Sequence, residues 1–383
     1  MSAGGVAGVY VHLPFCPYVC PYCDFAKWPM RRSAAARYLE ALQRELHQAP
    51  KVPAKTAFFG GGTPNVYPVN DLTALIAAVR EHFSLPPGAE FTVELNPDLA
   101  LCESFEAYRA AGVTRLSIGV QSFDEAELRL LGRRHTAADV REVVRRARAA
   151  GFDNLSVDLM FALPGQTQQS WQRSLAAAIA LECEHLSAYG LTIEEGTPFA
   201  QWQRREPGVF ADSDAEAELY ALAIEQLAGA GYEQYEISNF ARSGFACAHN
   251  RQYWNNEDYL GFGVSATSYR GGRRQTTTRD LETYCQAALE GLPIPAESEE
   301  LLGAARAGEA AMLALRRREG VELADFAARY AVDFLQFYRP VIAELEAAGM
   351  LQIGTTHVAL TERGRFVAND VCGAFISHEG AYA

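Results

Sequence analysis

The sequence of 383 residues predicts an α/β protein in which a parallel sheet is followed by a smaller helical domain. Six short apolar segments alternate with helical patterns between residues 8 and 191, as expected for parallel βαβ units with right-handed crossovers. The pattern changes to consecutive helices after about residue 301. Periodicity alone leaves open whether the sheet closes into an eight-stranded barrel.

The first half of the chain supplies the elements of this sheet. Short apolar runs predict six strands, at 8–13, 56–59, 90–95, 115–120, 155–161 and 185–191. Apolar residues at helical spacing predict the intervening helices, at 33–49, 71–82, 103–111, 124–150 (two helices) and 168–181. We expect the side chain of Ser33 to cap the first of them.

The second half of the chain is less regular. It predicts a helix at 214–230, a strand at 232–237 and a turn between short strands at 271–278. Pro293 and Pro295 mark a linker. Beyond it, three helices, a hairpin (351–353 and 357–360) and a last helix from residue 362 predict a winged-helix-like domain. The expected divisions are a barrel core at 1–205, an extension at 206–295 and a C-terminal domain at 300–383.

Composition limits the partners and the compartment. The net charge of −13 argues against nucleic-acid binding, so a packing or lid role is expected for the C-terminal domain. The basic run 316–318 is expected to be a solvated helix face. The sequence has no signal-peptide pattern and no apolar run near the ~18 residues of a membrane span, and its eight cysteines suit a reducing compartment. A cytoplasmic protein without stable membrane insertion is expected.

Three cysteines follow the first predicted strand at the spacing C-x3-C-x2-C: Cys16, Cys20 and Cys23. Thiolates are the usual ligands of iron–sulfur clusters, and three of them on a four-iron cube leave one iron open to an external molecule. Three other interpretations compete. These are a zinc site closed by His12 or Asp24, a disulfide with a spare thiol, and three unrelated buried cysteines. The open-iron cluster is favoured.

The glycine run Gly60-Gly61-Gly62-Thr63 ends the second predicted strand. It offers backbone N–H groups that no side chain shields and freedom for positive φ, but lacks the Gly-Lys-Ser/Thr ending of a phosphate-binding loop. Glu94, Gln121 and Asp158 are likewise expected to close strands. Because the carboxyl ends of barrel strands carry the chemistry, these residues are expected to meet in one site.

With the cysteine triplet followed by the glycine run, the sequence resembles the radical S-adenosylmethionine (SAM) superfamily. The wider motif set resembles the oxygen-independent coproporphyrinogen III oxidase family, especially its haem-chaperone branch. The motifs, in family order, are Glu94-Leu-Asn-Pro-Asp98, Ser117-Ile-Gly-Val-Gln121-Ser-Phe123, Leu131-Gly-Arg133-Arg-His-Thr136, Asp158-Leu-Met-Phe-Ala-Leu-Pro-Gly-Gln-Thr167 and His249-Asn-Arg-Gln-Tyr-Trp254. The resemblance implies an open, partial (β/α)6 TIM-like barrel with a C-terminal helical, winged-helix-like domain.

The resemblance also implies a [4Fe-4S] cluster on the three cysteines and a SAM molecule beside it. The residues that match SAM-contacting positions are Tyr10, Gly61, Gly62, Thr63, Glu94, Gln121, Arg133 and Asp158. Physically, Glu94 or Asp158 can accept hydrogen bonds from ribose or ammonium, and Arg133 can pair with the carboxylate. Tyr22 is a candidate for stacking on adenine. For each acid alone, a surface ion pair or a helix cap is the simpler interpretation.

The segment from Cys247 to Trp254 matches the H-N-x-x-Y-W motif of the haem-chaperone branch, which implies haem binding. Its candidate haem contacts are Cys247, His249, Asn250, Tyr253 and Trp254. Haem needs an axial ligand such as His or Cys, and this segment has both with aromatic neighbours. A single histidine among aromatic residues is also compatible with a purely structural role.

The resemblance implies a haem chaperone that holds a [4Fe-4S] cluster, SAM and haem and transfers haem to acceptor proteins. The expected partners are haem or porphyrin, a haem-accepting protein and an electron donor such as a flavodoxin. The alternatives are an oxygen-independent coproporphyrinogen III dehydrogenase that uses a 5′-deoxyadenosyl radical, and a radical SAM enzyme acting on haem. The motif of the oxidases is C-x3-C-x2-C-x-C, with a fourth cysteine two residues after the third. In this sequence that position, residue 25, is Phe, which favours the chaperone.

Overall fold

The structure is a computed structural model and describes residues 5–100 and 104–376. From residue 6 to 190 the described strands are β1 (Val6–Leu13), β2 (Phe15–Cys16), β3 (Trp28–Pro29), β4 (Ala54–Gly61), β5 (Phe91–Leu95), β6 (Arg115–Gln121), β7 (Leu155–Phe161) and β8 (His185–Gly190). The described helices of this part are α1 (Arg32–Gln48), α2 (Val69–His82), α3 (Pro97–Ala100), α4 (Phe105–Ala111), α5 (Glu125–Leu130), α6 (Ala137–Ala149) and α7 (Gln168–Ile179).

The middle part of the chain completes the sheet at both edges. Its helices are α8 (Pro198–Arg205), α9 (Ser213–Gly229), α10 (Ala248–Trp254) and α11 (Leu281–Glu290). Its strands are β9 (Glu233–Gln234), β10 (Asn239–Ala241), β11 (Tyr259–Phe262), β12 (Thr267–Arg270), β13 (Arg273–Thr277) and β14 (Ala296–Glu300).

The main sheet is open and has the strand order β14-β13-β12-β11-β1-β4-β5-β6-β7-β8-β10-β9. The six strands predicted from the sequence are β1 and β4 to β8, and they pair in parallel in chain order. A seventh parallel strand, β11, was not predicted and pairs with β1 on its outer side. The partial, TIM-like α/β barrel is thereby confirmed. Most side chains of these strands are buried, as expected for a parallel sheet between helices.

The C-terminal part forms its own core. Its helices are α12 (Gly303–Leu315), α13 (Leu323–Tyr330), α14 (Phe334–Phe337), α15 (Arg339–Ala347), α16 (Glu362–Phe366) and α17 (Ala368–Ile376). Its small sheet consists of β15 (Val321–Glu322), β16 (Leu351–Ile353) and β17 (His357–Leu360), so the predicted hairpin has the predicted bounds. In the described ranges no helix is both long and apolar enough to cross a bilayer.

Four local expectations were wrong. Helix α1 begins at Arg32 after Arg31, which makes no side-chain cap, so Ser33 lies inside the helix and does not cap it. The strand predicted at 232–237 is reduced to Glu233–Gln234. The run 316–318 is not a solvated helix face, because two of its arginines contact the barrel part. Arg317 donates a hydrogen bond to Asn255, and the guanidinium of Arg316 lies over the ring of Trp254. Asp158 lies in the middle of β7 and does not close it.

The predicted linker at Pro293 and Pro295 is followed directly by the edge strand β14. This strand pairs with β13 and therefore extends the barrel sheet into the region given to the linker. The three predicted divisions, at 1–205, 206–295 and 300–383, stay predictions.

Candidate cofactor-binding site

A cavity of about 410 Å³ opens at the carboxyl ends of the parallel strands. The predicted cluster and SAM residues that line it are Cys16, Cys20, Cys23, Tyr22, Gly61, Gly62, Thr63, Glu94, Gln121, Arg133 and Asp158. They come from the loop after β1 and from the ends or inner faces of β4 to β7, except Arg133, which lies between α5 and α6. A parallel sheet brings strand ends together at one edge, which is why residues distant in sequence share this cavity. Its volume suits a small-molecule ligand.

The cysteine loop is closed at its base by a short parallel pair, β2 with β3. The N–H of Trp28 donates to the carbonyl of Pro14 at 2.9 Å, and the N–H of Met30 donates to the carbonyl of Cys16 at 2.8 Å. Within the loop, the N–H of Cys23 donates to the carbonyl of Cys20 at 3.3 Å. The β2–β3 hydrogen bonds hold the two ends of the loop together. All three thiols of the loop line the cavity.

The thiols lie in a partly buried environment. Burial raises the pKa of Cys16 to about 11, and burial also raises the pKa of Cys23. Lys27 donates to the carbonyl of Cys23 and supplies a positive charge next to the loop. Iron binding therefore has to displace thiol protons, as metal coordination does at such sites.

The described residues contain no group of three or more His, Cys, Asp or Glu side chains that converges on one metal ion. A cube-shaped cluster is larger than an ion, so its thiolates need to surround a common space and not a point. The zinc alternative required His12 or Asp24 as a fourth ligand. Both ring nitrogens of His12 are taken, Nδ1 by the Tyr10 hydroxyl at 3.0 Å and Nε2 by the carbonyl of Ala26 at 2.8 Å. Asp24 lines the cavity with the three cysteines, but the four do not converge on one metal ion. The donor set therefore fits a three-thiolate cluster better.

The glycine run is packed too tightly for any side chain. A Cβ on Gly61 would lie 2.3 Å from the His12 ring, and its φ of +98° is a conformation that glycine favours. Contrary to the expectation of free N–H groups, the run uses them internally. The N–H groups of Gly61, Gly62 and Thr63 donate to Glu94 Oε2 (3.2 Å), the Leu13 carbonyl (2.9 Å) and the Phe15 carbonyl (2.9 Å). What such a loop can still present to a ligand is carbonyl oxygen, which suits an ammonium group.

Glu94 and Asp158 place two buried carboxyl groups in the same cavity. Burial, and the nearby charge of Asp158, raise the pKa of Glu94 to about 8. Burial raises the pKa of Asp158 as well, although the Ser117 hydroxyl donates to it at 3.2 Å. A positively charged ligand in this cavity would lower both pKa values, so the pair is suited to a cation.

Arg133 lines the same cavity as these acids. It donates to the carbonyl of Gly119 and to Asn96 Oδ1 at 3.3 Å, and it lies 3.9 Å from the sulfur of Cys20. Its Nε is buried and has no hydrogen-bond partner among the described residues. The guanidinium lines the cavity, so its positive charge can act on an anionic group bound there.

Several lining residues were missed by the sequence reasoning, among them Asn96, Ser117 and Tyr189. The Tyr189 hydroxyl donates to Gln121 Oε1 at 2.6 Å and so fixes that side chain, whose backbone has a φ of +69°. The signal that could have found Tyr189 is its place near the end of a parallel strand, the rule already applied to Glu94. Tyr10 is not among the lining residues, since its ring stacks on Phe58 next to the cavity.

The predicted haem residues lie at the opposite end of the barrel. They form α10, which is preceded by Cys247 and packs against β1 and β4. Glu90, just before β5, accepts from the N–H groups of Ala248 at 2.9 Å and His249 at 2.8 Å, and from the Cys247 thiol at 3.3 Å. This carboxylate at the amino end of the helix fixes the segment to the barrel.

His249 is enclosed, with 1% of its surface exposed. Its Nδ1 hydrogen-bonds with the Thr56 hydroxyl at 2.9 Å, and its Nε2 hydrogen-bonds with the Tyr253 hydroxyl at 2.9 Å. Burial lowers the pKa of His249 to about 3, so the ring is neutral. Cys247 is also fully buried, Asn250 is half-buried, and Trp254 borders a second cavity.

Buried polar groups connect the two ends. The Ser156 hydroxyl hydrogen-bonds with His185 Nδ1 at 2.8 Å and lies 3.5 Å from Asp158. His185 Nε2 hydrogen-bonds with the Tyr235 hydroxyl at 2.9 Å, which accepts from the N–H of Cys247 at 3.3 Å. The two groups of predicted site residues are therefore separate in space but joined through the barrel interior.

This fold and this three-thiol cavity define a radical SAM protein. Residues 10–178 match the family model of the Radical SAM superfamily, and residues 303–367 match the model of the HemN C-terminal domain. The Escherichia coli coproporphyrinogen III oxidase HemN, a radical SAM enzyme, has the same fold, with a TM-score of 0.85 and 23% identity over 98% of this chain and 91% of that chain.

The chain belongs to the heme chaperone HemW family. The protein of that name from Bacillus subtilis is 36% identical over 375 residues, which cover 96% of this chain and 98% of the relative. The Escherichia coli K12 protein of that name is 33% identical over 379 residues, with coverage of 96% and 98%. The mouse radical S-adenosyl methionine domain-containing protein 1, mitochondrial, is 40% identical over 270 residues, which cover 69% of this chain and 61% of that protein.

Proposed function

We propose that this protein is a cytoplasmic haem chaperone, which binds a [4Fe-4S] cluster, SAM and haem and transfers haem to acceptor proteins. The observation that carries the proposal is the relation to the Bacillus subtilis heme chaperone, which extends over 96% of this chain. The acceptor is a haem protein, and the cluster receives its electron from a donor such as a flavodoxin.

The cluster is assigned to Cys16, Cys20 and Cys23, whose thiols line one cavity. The fourth cysteine of the oxidases is replaced by Phe25, which is 62% exposed and offers no ligand. One iron is thus left to SAM. When bound, the cluster supplies a low-potential electron for reductive cleavage of the sulfonium.

The SAM site is assigned to the same cavity. Carbonyl oxygens of the glycine run (Gly61, Gly62, Thr63) accept from the ammonium, and the guanidinium of Arg133 pairs with the carboxylate. Glu94 and Asp158 lie next to the cation or the ribose, and Tyr22 lies at the adenine. Gln121 is a further contact, and its side chain is fixed by Tyr189. Tyr10 does not line the cavity and has a positioning role.

Haem is assigned to the segment that contains Cys247, His249, Asn250, Tyr253 and Trp254. Iron ligation by His249 stays a prediction, and it requires that the ring give up the hydrogen bond to Tyr253 and become exposed. Trp254 faces open space without such a change, because it lines the second cavity.

Anaerobic reconstitution tests the cluster. Wild-type protein should bind about four irons with broad charge-transfer absorption, and Cys16→Ala, Cys20→Ala or Cys23→Ala should abolish both. Cys285→Ala is the matched control, because that thiol is buried away from the cavity. Stoichiometric zinc, or an unchanged iron content in the three variants, would contradict the assignment.

A transfer assay tests the function. Haem-loaded protein is mixed with an apo haem protein, and the Soret spectrum of the acceptor is followed; transfer faster than from free haem is expected. In parallel, coproporphyrinogen III is incubated with the protein, SAM and a reductant. Formation of decarboxylated product, or an absence of haem binding, would overturn the chaperone proposal.

A further inference from the structure

The loop that carries the three cysteines also presents two large apolar side chains to solvent. Val19, between the first two cysteines, is 48% exposed, and Phe25, two residues after the third, is 62% exposed. Large apolar side chains are usually buried when a protein has no partner to cover them. The loop therefore offers an apolar contact area beside the thiols assigned to the cluster.

Three cations from separate parts of the chain contact the same loop. Lys27 and Arg279 donate to backbone carbonyls of the loop, at 3.3 Å and 3.0 Å. The guanidinium of Arg134 lies 4.7 Å from the centre of the Tyr18 ring. Because carbonyls and a ring carry no net charge, these contacts hold the cations in place without neutralising them.

Arg31 and Arg32 add two more cations at the base of the loop. The N–H of Met30 donates to the carbonyl of Cys16 at 2.8 Å, which fixes the chain just before them. Both arginines are exposed, and none of the ion pairs among residues 5–100 and 104–376 includes them. The surface made of Val19, Phe25 and the five cations is called the cysteine-loop face below.

The position of the two arginines is unfavourable for the helix that they begin. Arg31 is the N-cap residue of α1 and makes no side-chain cap, Arg32 is the first residue of that helix, and its first turn has no acidic residue. The amino end of a helix is positive, so cations there lower its stability. A local choice that opposes the fold in this way is typical of a functional site.

Few carboxylates border the cysteine-loop face. Asp24 lies on the loop, Asp280 follows Arg279, and Glu194 lines the cavity together with Lys27. Between residues 1 and 39 the chain has four Lys or Arg residues and a single acid, whereas acids outnumber bases by 47 to 34 in the whole sequence.

Two further acids near the face are balanced by arginines that do not belong to it. Glu282 pairs with Arg37. The charges of Asp98 and Arg133 shift the pKa of Tyr18 in opposite directions. Five cations therefore stand against three carboxylates, and the cysteine-loop face is positive on an otherwise acidic protein.

We propose that the cysteine-loop face docks the protein that reduces the cluster, a small acidic one-electron carrier. Val19 and Phe25 form the apolar centre of the contact, and the surrounding cations steer the acidic partner to it. The donor's reduced flavin loses one electron and the cluster gains that electron, with no transfer of atoms. The inference rests on the proposed function, which requires such a donor.

The rate of cluster reduction tests this inference. Bleaching of the cluster absorption in reconstituted protein is followed with reduced flavodoxin and, separately, with photoreduced 5-deazariboflavin, which is small and uncharged. Arg31→Glu combined with Arg32→Glu should slow reduction by flavodoxin about tenfold at about 0.05 M salt, and should leave the rate with deazariboflavin unchanged. Higher salt should slow flavodoxin with wild-type protein and affect this variant much less.

Two further measurements accompany the rates. Calorimetric titration with oxidised flavodoxin should show weaker binding by the double variant and by Phe25→Ser. Since acids are favourable at the amino end of a helix, the double variant should also fold, with a higher midpoint of chemical denaturation than wild type.

Arg339→Glu combined with Arg363→Glu is the matched control, because it reverses two charges at exposed positions of the C-terminal domain, outside the residues that line the cofactor cavity. It should leave the rate with flavodoxin unchanged. Equal slowing of both reductants by the Arg31 and Arg32 changes, or no slowing of flavodoxin, would overturn the inference while the proposed function stands. If wild-type protein holds no cluster, the proposed function fails first and the inference fails with it.

Discussion

Single residues of the cofactor cavity acquire their chemistry from burial. Glu94 was predicted as a SAM contact from its motif, and it lies on the wall of the cavity. The strand positions of Glu94 and Asp158 predicted that the two residues would meet in one site, but not that both carboxyl groups would be fully buried there and that one charge would act on the other. Their raised pKa values follow from that proximity and from desolvation, both of which are tertiary properties.

Glu94→Gln is expected to stabilise the cofactor-free protein at neutral and alkaline pH. The pKa of Glu94 is raised from 4.5 to about 8 on folding, so stability falls as pH rises between these values and stays lower above them. The variant removes that loss. Its gain should be on the order of 1–3 kcal/mol at pH 8 and vanish near pH 4, measured by denaturant unfolding at several pH values.

Glu142→Gln is the control for this measurement. Glu142 is exposed and paired with Arg145, which lowers the pKa of its carboxyl, so its removal should give no gain at pH 8. Parallel pH profiles for wild type and Glu94→Gln would show that Glu94 is ionised in the folded protein. SAM affinity should also decrease in Glu94→Gln, since a carboxylate partner of the cation is lost.

At the scale of elements, length and pattern decided what could be predicted. Strands β4 to β8 are apolar runs bounded by helical patterns, so the sequence located them closely. Strand β11 has four residues and is stabilised by pairing with β1, a contact across most of the barrel part that no local pattern reveals. Residue preference was also an incomplete guide to helix caps, since Ser33 is of a residue type that often caps helices but lies inside α1.

Thr136→Ala should destabilise the protein by about 1 kcal/mol, because Thr136 caps the amino end of helix α6 through a reciprocal pair of hydrogen bonds with Asp139. Ser33→Ala should change stability by less than about 0.5 kcal/mol, because Ser33 caps nothing. Chemical denaturation of both variants checks the pair. A larger loss for Ser33→Ala than for Thr136→Ala would contradict both helix boundaries.

For the whole molecule, the net charge and the packing of the C-terminal domain on the barrel part decide which surfaces can bind a partner. The C-terminal domain has a winged-helix-like arrangement, but several of its arginines face the barrel part. Arg329 donates to the carbonyls of Asn255 and Asn256, both at 2.7 Å, and Arg317 donates to the Asn255 side chain. These cations hold the two parts together and line the second cavity, whose walls include residues of both parts.

No binding to duplex DNA is therefore expected at about 0.15 M salt. Non-specific binding needs a surface of free cations that can displace counterions, whereas this chain has a net charge of −13. A fluorescence anisotropy titration with a labelled duplex checks this, and repetition at about 0.05 M salt gives the salt dependence. Saturable binding that weakens steeply with salt would contradict the packing role.

The sequence by itself determined the order of strands and helices, the cysteine loop, the glycine run and the family. These features depend on local spacing, which is readable without coordinates. Only the tertiary structure placed the predicted haem segment at the other end of the barrel, enclosed His249 and turned the arginines of the C-terminal domain toward the barrel. Burial, hydrogen-bond partners and cavities arise from contacts between residues far apart in the chain, and such contacts leave no mark on local sequence patterns.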